Sequence, residues 1–173
     1  KTTTLLRLAR LWTGNGRRVA IITNDQAENL VDTATFRASG LTANEVAGGC
    51  FCCRFDEFVA RADELIEQSR PDIILAEPVG SCTDIVATVI EPLRRSCGDR
   101  FTVAPYVALV DPVRALRVLD DVGPVKLSER ITYIYRLQQQ EASVIAVNKI
   151  DTLETDERRR ALELLGTALP DRS

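Results

Sequence analysis

The sequence lacks two residue types altogether and is poor in a third group. Its 173 residues include no histidine and no methionine, and aromatic residues make up only 5%. Without histidine, any transition-metal site in the chain has to be built from sulfur and oxygen ligands. Without methionine there is no translation start, so we expect a fragment that begins inside a motif. We also expect the domain to be incomplete at its C-terminal end.

Long hydrophobic runs and an excess of charge are also missing. No apolar run approaches the roughly 20 residues of a membrane span, and no secretory signal opens the chain. The net charge is only −3, so there is no electrostatic basis for binding nucleic acid or a membrane surface. With 45% hydrophobic and 27% charged residues, the composition predicts one globular, cytoplasmic domain over residues 1–173.

Cysteine, by contrast, is present in an unusual arrangement. The chain has five cysteines, three of them within Cys50-Phe51-Cys52-Cys53. The odd number and the crowding argue against the disulfide framework of a secreted protein. We interpret the cysteines as a reduced thiol cluster in the cytosol.

Short apolar runs alternate with amphipathic stretches along the chain. The apolar runs predict strands at 18–23, 72–76, 102–110 and 143–148. Helical spacing predicts helices at 3–12, 55–69, 84–97 (interrupted by Pro92), 112–120, 127–142 and 154–169. Residues 24–49 are predicted to form a long polar connection with one amphipathic stretch near 27–36. The alternation predicts an α/β fold of three layers, with a mostly parallel sheet covered by helices on both faces.

Polar residues follow three of the predicted strands, and ligands of such sheets bind at the carboxyl ends of the strands. The strongest pattern is Asn148-Lys149-Ile150-Asp151, the guanine-reading motif of P-loop GTPases. The Asp151 carboxylate can accept charge-assisted hydrogen bonds from both guanine donors, whereas adenine offers the wrong pattern. Asn148 can bond the acceptor side of the base, and the stem of Lys149 can lie over the ring. The alternative is an ordinary polar strand end.

The start of the chain is similar to the tail of a Walker A motif. In that interpretation Lys1 reaches the β- and γ-phosphates, and the hydroxyl of Thr2 binds Mg²⁺. Amides at the helix N-terminus, including that of Thr3, receive the α- and β-phosphates. The first strand and the phosphate-loop glycines would lie before Lys1. The alternative is a threonine-rich helix start without a ligand.

Acidic residues after two strands are candidates for the remaining parts of a nucleotide site. Glu77 can hold Mg²⁺ directly or through water, and Gly80 can offer its N–H to the γ-phosphate. Asp25 is the matching Mg²⁺ candidate after the first predicted strand. Each could instead be a helix cap or a turn residue.

The segment Gly48-Gly49-Cys50-Phe51-Cys52-Cys53 sets this chain apart from an ordinary GTPase. Cysteines at this spacing can direct three sulfurs to one point if the backbone turns sharply, and the two glycines permit such a turn. Thiolates suit Zn²⁺ and other borderline cations such as Co²⁺ and Ni²⁺. Three ligands and an exchangeable position favour transient metal binding. The alternatives are buried small side chains or a redox pair.

The sequence does not determine which residue is the fourth metal ligand. Cys82, Glu28 and Asp25 are the candidates. Taken singly, Cys82 and Cys97 are more typical of core packing.

Together these motifs resemble the CobW-type GTPases, relatives of the UreG and HypB nickel-insertion GTPases. The family order is matched by Lys1-Thr2, Gly49-Cys50-Phe51-Cys52-Cys53, Glu77-Pro78-Val79-Gly80 and Asn148-Lys149-Ile150-Asp151. Ile22-Thr23-Asn24-Asp25 is similar to the switch region of the UreG branch. The resemblance spans nearly the whole chain and lacks only the phosphate-loop glycines, the last strand, the His-rich tracts and the second domain that is frequent in the family.

The resemblance implies slow GTP hydrolysis coupled to delivering a metal ion, or a metal-containing cofactor, to a client protein. It implies GTP or GDP, Mg²⁺ and Zn²⁺ (or Co²⁺ or Ni²⁺) as ligands, and a client metalloprotein as partner, with nucleotide-dependent homodimerisation as a common theme. Three alternatives stay open. They are a regulatory GTPase with an incidental cysteine cluster, a metal-binding module with a vestigial nucleotide site, and a related ATP-dependent kinase, which Asp151 disfavours.

Overall fold

The computed structural model describes residues 1–24, 31–119 and 128–168. The chain divides into two compact units, Lys1–Cys82 and Thr83–Ser173, and each has its own parallel sheet. No helix within the described ranges is long and apolar enough to cross a bilayer.

The first unit alternates helices and strands. Its elements are α1 (Thr2–Gly14), β1 (Val19–Thr23), α2 (Val31–Ala38), β2 (Thr42–Glu45), α3 (Phe55–Ser69) and β3 (Ile73–Glu77). The strands form a sheet in the order β2-β1-β3, and both pairings are parallel. The predicted helices at 3–12 and 55–69 and the predicted strands at 18–23 and 72–76 are thus confirmed.

The first unit has three layers because successive residues of β1 point to opposite faces of the sheet. Ile21 packs with Ala9 of α1 and Phe36 of α2 on one face. Ile22 points to the other face and is in register with Asn44 of β2. The Asn44 side chain donates a hydrogen bond of 3.2 Å to Glu64 of α3, so α3 covers that second face.

The second unit is helix-rich. A π-helical turn (Val86–Ile90) leads into α4 (Glu91–Cys97), followed by β4 (Val107–Val110), α5 (Pro112–Leu119), α6 (Glu129–Glu141), β5 (Val144–Val147), a 3₁₀ turn (Ile150–Thr152) and α7 (Thr155–Ala168). Strands β4 and β5 pair in parallel. Their apolar side chains pack with those of α5, α6 and α7 around Val110, Ala115, Val118, Tyr135 and Leu165.

Three sequence predictions were wrong in detail. The connection 24–49 contains α2 and a further strand, β2, whose letters Thr-Ala-Asn-Glu lack the apolar run of a buried strand. The predicted strand at 102–110 is paired only over Val107–Val110, because Pro105 has no N–H for a ladder. The helix at 84–97 is continuous through Pro92, since a π-helical turn precedes it and places the proline in the first turn of α4.

The carboxyl ends of the first unit's strands come together at one edge of the sheet. Thr23 at the end of β1 is in register with Glu45 at the end of β2 and with Glu77 at the end of β3. The loops that leave this edge carry the candidate site residues.

Candidate functional site

Three of the predicted phosphate-site residues meet at the carboxyl end of β3. The Lys1 Nζ donates a hydrogen bond of 2.6 Å to the Pro78 carbonyl oxygen and lies 3.7 Å from a carboxylate oxygen of Glu77. The Thr2 hydroxyl lies 3.3 Å and 3.4 Å from the two Glu77 oxygens. The start of α1 and the end of β3, predicted as parts of one site, therefore do lie together.

The carboxyl group of Glu77 lies in a poorly solvated place. The residue is only 7% exposed. Burial raises the pKa of Glu77, and the negative charge of Asp32 acts in the same direction, whereas Lys1 and the Thr2 hydroxyl favour the charged form. A buried carboxylate of this kind is stabilised by an added cation.

The donor set suits Mg²⁺, which prefers hard oxygen ligands and commonly takes one or two carboxylates together with substrate phosphates. Glu77 supplies a buried carboxylate, and Thr2 supplies a hydroxyl within 3.4 Å of it. The residues therefore fit the ion, and Thr2 and Glu77 are the side chains that would hold it. Asp25, the third candidate, lies outside the described residues.

Gly80 lies on the loop that follows β3, beside Lys1. A Cβ added to Gly80 would lie 3.7 Å from Lys1 Nζ, an ordinary contact, so the lysine amine and this stretch of backbone are neighbours. Thr3 is exposed in the first turn of α1. The structure thus brings Lys1, Thr2, Glu77 and Gly80 together and leaves the Thr3 side chain in solvent.

The cysteine segment forms a sharp turn just before α3. Gly48 has a φ of +71°, a conformation that glycine adopts without strain, and the Arg54 N–H donates a 3.0 Å hydrogen bond to the Cys50 carbonyl. Phe51 is 2% exposed and stacks on Phe58 of α3, with 4.5 Å between ring centroids. Burial of this ring anchors the turn to the helix and keeps the cysteines at the surface.

The three cysteine sulfurs converge. Cys50 Sγ lies 2.7 Å from that of Cys52 and 3.1 Å from that of Cys53, and the remaining pair is 3.9 Å apart. A tetrahedral zinc site with Zn–S bonds of about 2.3 Å needs sulfurs about 3.8 Å apart. Small side-chain rotations would therefore seat one ion between the three. Cys50 and Cys52 are half-buried and Cys53 is exposed, which leaves the sulfurs within reach of solvent.

Hydrogen bonds within the cluster separate the acidities of its thiols. The hydrogen bond between the Cys50 and Cys52 sulfurs lowers the pKa of Cys50 to about 7. The same bond, with burial, raises the pKa of Cys52 to about 12. One thiolate is therefore accessible near neutral pH, and the other protons leave when a metal ion displaces them.

The two other cysteines have different surroundings. Cys82 is half-buried, and burial raises its pKa to about 11, with the neighbouring Cys50 sulfur adding to the shift. Cys97 is 2% exposed at the end of α4, and Arg100 donates to its sulfur at 3.1 Å. The packing role predicted for Cys97 fits its burial, whereas Cys82 lies beside Cys50.

Asn24 ties the cysteine turn to the end of β1. Its N–H donates to the Glu77 carbonyl at 3.1 Å, and its side-chain amide donates to the carbonyls of Val46 at 2.9 Å and Gly49 at 2.5 Å. One residue therefore links the strand that carries Glu77 to the backbone immediately before Cys50.

The predicted base-reading motif lies at the carboxyl end of β5 in the second unit. The Asn148 N–H donates to the Val110 carbonyl at 2.8 Å and so extends the β4–β5 pairing by one residue. Lys149 has a φ of +60°, and its Nζ lies 3.5 Å from Asp111. Asp151 is exposed at the start of the 3₁₀ turn. The Asp151 carboxylate therefore faces solvent.

Sequence reasoning missed four contributors to these sites. Phe51 and Asn24 hold the cysteine turn, Asp32 acts on Glu77, and Asp111 pairs with Lys149. Two of them could have been predicted from the sequence. Asp111 directly follows an apolar strand, just as Glu77 ends one, and Phe51 is the only large apolar residue within the cysteine motif.

Comparison with known proteins agrees with these motifs. The sequence is similar to the zinc chaperone YeiR of Escherichia coli (strain K12), with 28% identity over 164 residues. The similarity covers 94% of this chain and 46% of that protein, so the chain spans about half the length of this relative. The sequence also matches the family described as CobW/HypB/UreG, nucleotide-binding domain, over residues 1–172. The chain therefore belongs to the CobW/HypB/UreG family and comprises its nucleotide-binding domain.

Proposed function

We propose that this chain is the GTP-hydrolysing part of a metallochaperone that binds Zn²⁺ and delivers it to a client metalloprotein. The observation that carries the proposal is the convergence of three sulfurs, all within 4.8 Å of one another, on a turn that Asn24 ties to the carboxyl end of β1. The zinc chaperone among its relatives supports Zn²⁺ over Co²⁺ and Ni²⁺.

The zinc ion is the cargo in this proposal, so its site has to release it. Cys50, Cys52 and Cys53 come from one short turn, and one of them is exposed. A closed structural site encloses the ion with four protein ligands, whereas an exposed cluster lets an incoming thiolate or carboxylate of the client take over the ligands one at a time. Partial exposure therefore favours transfer over storage.

We assign the nucleotide-binding roles to the residues that follow the strands of the two units. Lys1 would bind the β- and γ-phosphates, and the amide of Thr3 would contribute to the anion site at the start of α1. Thr2 and Glu77 would hold Mg²⁺, which compensates the phosphate charge when bound, and Gly80 would donate its N–H to the γ-phosphate. Asn148, Lys149 and Asp151 would read guanine. Hydrolysis breaks the bond from the γ-phosphorus to the bridging oxygen as water adds, giving GDP and phosphate.

Contacts between the two chemistries support a coupled cycle. Lys1 donates to the Pro78 carbonyl, so a phosphate that takes Lys1 as its partner competes with the loop that follows β3. Asn24 spans from the Glu77 carbonyl to the Gly49 carbonyl, so a shift of the strand ends is passed to the cysteine turn. Both routes begin at phosphate-site residues and end beside a sulfur.

Purified full-length protein tests the proposal. We expect one Zn²⁺ per chain in competition with a chromophoric chelator, and Mg²⁺-dependent turnover of GTP with little turnover of ATP. Zinc loaded on the protein should reach an apo-metalloprotein acceptor faster with GTP than with GDP. Equal turnover of ATP and GTP, or zinc bound no more tightly than by free cysteine, would contradict the proposal.

A further inference from the structure

The loop after β3 returns a cysteine to the thiol cluster. The Cys82 N–H donates a 3.1 Å hydrogen bond to the Val79 carbonyl, which closes a turn and brings the side chain back. The Cys82 thiol lies close enough to the Cys50 sulfur to interact with it, and it lies outside the group of three sulfurs that are within 4.8 Å of one another. A sulfur 32 residues away along the sequence, on a different loop from the cysteine turn, therefore lies beside Cys50.

The cluster itself is one ligand short of the number that zinc prefers. Three sulfurs lie within 4.8 Å of one another, and they belong to Cys50, Cys52 and Cys53. Protein zinc sites are almost always four-coordinate, and thiolate is a ligand of matching softness. The chain contains no histidine, so the fourth position falls to sulfur, to oxygen or to water.

We infer that Cys82 is the fourth zinc ligand, so that the loop after β3 closes a four-thiolate site with Cys50, Cys52 and Cys53. The inference rests on the proposed function, because it assumes that the three clustered cysteines bind zinc. Each thiol gives its proton to solvent as its sulfur binds. Among the described side chains, Cys82 is the sulfur from outside the turn that lies beside Cys50.

With Cys82 as a ligand, the bound nucleotide would determine how many sulfurs coordinate the zinc ion. Cys82 lies two residues after Gly80, and Pro78 at the start of the same loop accepts the hydrogen bond from Lys1. When a γ-phosphate engages Lys1 and the Gly80 N–H, the loop moves toward the phosphate and takes Cys82 with it. The site then changes from four sulfurs to three, and the vacated position is open to a ligand from the client.

The test counts sulfurs around zinc by X-ray absorption in the full-length protein, with Cys82→Ser and Cys82→Ala as variants and Cys97→Ala as the matched control. Cys97 is buried at the end of α4, remote in sequence from the cluster. We expect four Zn–S bonds in the wild type and in Cys97→Ala, and three in both Cys82 variants. Zinc affinity should fall at least about tenfold in the Cys82 variants, because even outer-sphere partners of a metal ligand are worth that much.

The outcomes separate this inference from the proposed function. Three Zn–S bonds in the wild type, unchanged by Cys82→Ser or Cys82→Ala, would overturn the role of Cys82 and leave a three-cysteine chaperone site intact. Absence of zinc binding in the wild type would overturn both. Circular dichroism and GTP affinity equal to the wild type would show that the Cys82 variants are folded. A non-hydrolysable GTP analogue should reduce the sulfur count from four to three, and a constant count of four would overturn the switching step.

Discussion

The carboxylate site and the thiol site are built in opposite ways at the same edge of one sheet. Glu77 ends a strand, is 7% exposed, and is held by the Thr2 hydroxyl and by Lys1, which directly precedes α1. The three clustered cysteines lie on a surface turn that one buried ring and one asparagine side chain hold in place. The first site offers hard oxygen atoms on a rigid element, and the second offers soft sulfur atoms on a loop.

Under the proposed function, this difference would let one small unit keep two metal ions apart. Mg²⁺ prefers oxygen ligands and Zn²⁺ accepts sulfur, so the donor atoms sort the ions without a barrier between the sites. The two sites also differ in rigidity, and this difference suits different functions. A phosphate site benefits from preorganised groups, whereas a cargo site has to let its ion leave. The hydrogen bond from the Asn24 side chain to the Gly49 carbonyl and the loop from Glu77 to Cys82 join the two sites.

Removing the soft site should have the largest effect. In the variant with Cys50→Ser, Cys52→Ser and Cys53→Ser, zinc affinity should fall at least about a thousandfold, since each lost ligand is worth at least about tenfold. Competition titration with a chelator measures it. In the absence of zinc, GTP affinity should stay within about twofold of the wild type, because the oxygen site lies on other elements. A comparable loss of GTP binding would show that the two sites are not separate.

The proposed base-reading motif lies in the second unit. Changing it tests guanine recognition separately from the carboxylate site and the thiol site of the first unit. Asp151→Asn should weaken GTP binding by about 2–4 kcal/mol, the worth of one or two charged hydrogen bonds. Xanthine nucleotide should bind better, because its carbonyl can accept from the new amide. Isothermal titration with each nucleotide measures this, and Asp156→Asn on α7 is the control. An unchanged preference for GTP over ATP would move base recognition elsewhere.

Neutralising the hard site should affect turnover more than folding. Glu77→Gln should lower Mg²⁺-dependent GTP hydrolysis about tenfold or more, because a charge-assisted contact becomes a neutral one. Folding should change little, since burial already opposes the charged form of Glu77. Single-turnover kinetics and circular dichroism separate the two effects, with Glu67→Gln on the exposed face of α3 as control. Normal hydrolysis would reduce Glu77 to a turn residue, and zinc affinity should not change in either variant.

The opposite edge of the sheet provides the smallest expected effect. Asp72 accepts from the Arg18 backbone N–H at 2.8 Å and from its guanidinium at 3.0 Å. Hydrogen bonds from Arg18 lower the pKa of Asp72, so its stabilising contribution is present above the unfolded pKa of about 3.9 and disappears as the pH falls through the lowered folded value. Asp72→Asn should lower the Tm by at most about 4 °C at pH 7.

That difference should disappear as the pH falls below the lowered pKa of Asp72, where the wild-type carboxylate is protonated as well. Thermal unfolding against pH measures it, with Asp99→Asn as an exposed control. A Tm difference that persists at low pH, or a change in zinc or GTP affinity, would contradict the view that function is confined to the carboxyl edge.

The sequence was informative where chemistry depends on spacing. The order of motifs predicted the family, and apolar runs such as 18–23 and 72–76 predicted β1 and β3 almost to the residue. The strand β2 was not predicted, because its pairing with β1 is made by backbone groups and its side chains are mostly polar. The pattern of polar and apolar residues does not show which loops lie next to each other. The proximity of Cys82 to Cys50 and the hydrogen bonds of Asn24 to Glu77 and Gly49 therefore became visible only in the structure.

We propose that the soft and hard sites are thermodynamically coupled through Asn24 and the loop after β3. Linkage requires that GTP alter zinc affinity by the same factor by which zinc alters GTP affinity. Titration of Zn²⁺ into the full-length protein, saturated first with GDP and then with a non-hydrolysable GTP analogue, measures that factor directly. We predict a difference of at least about fivefold in zinc affinity, the lower end of useful allosteric coupling. Equal affinity in the two nucleotide states would contradict the claim and leave a GTPase and a thiol site that share a chain without acting on each other.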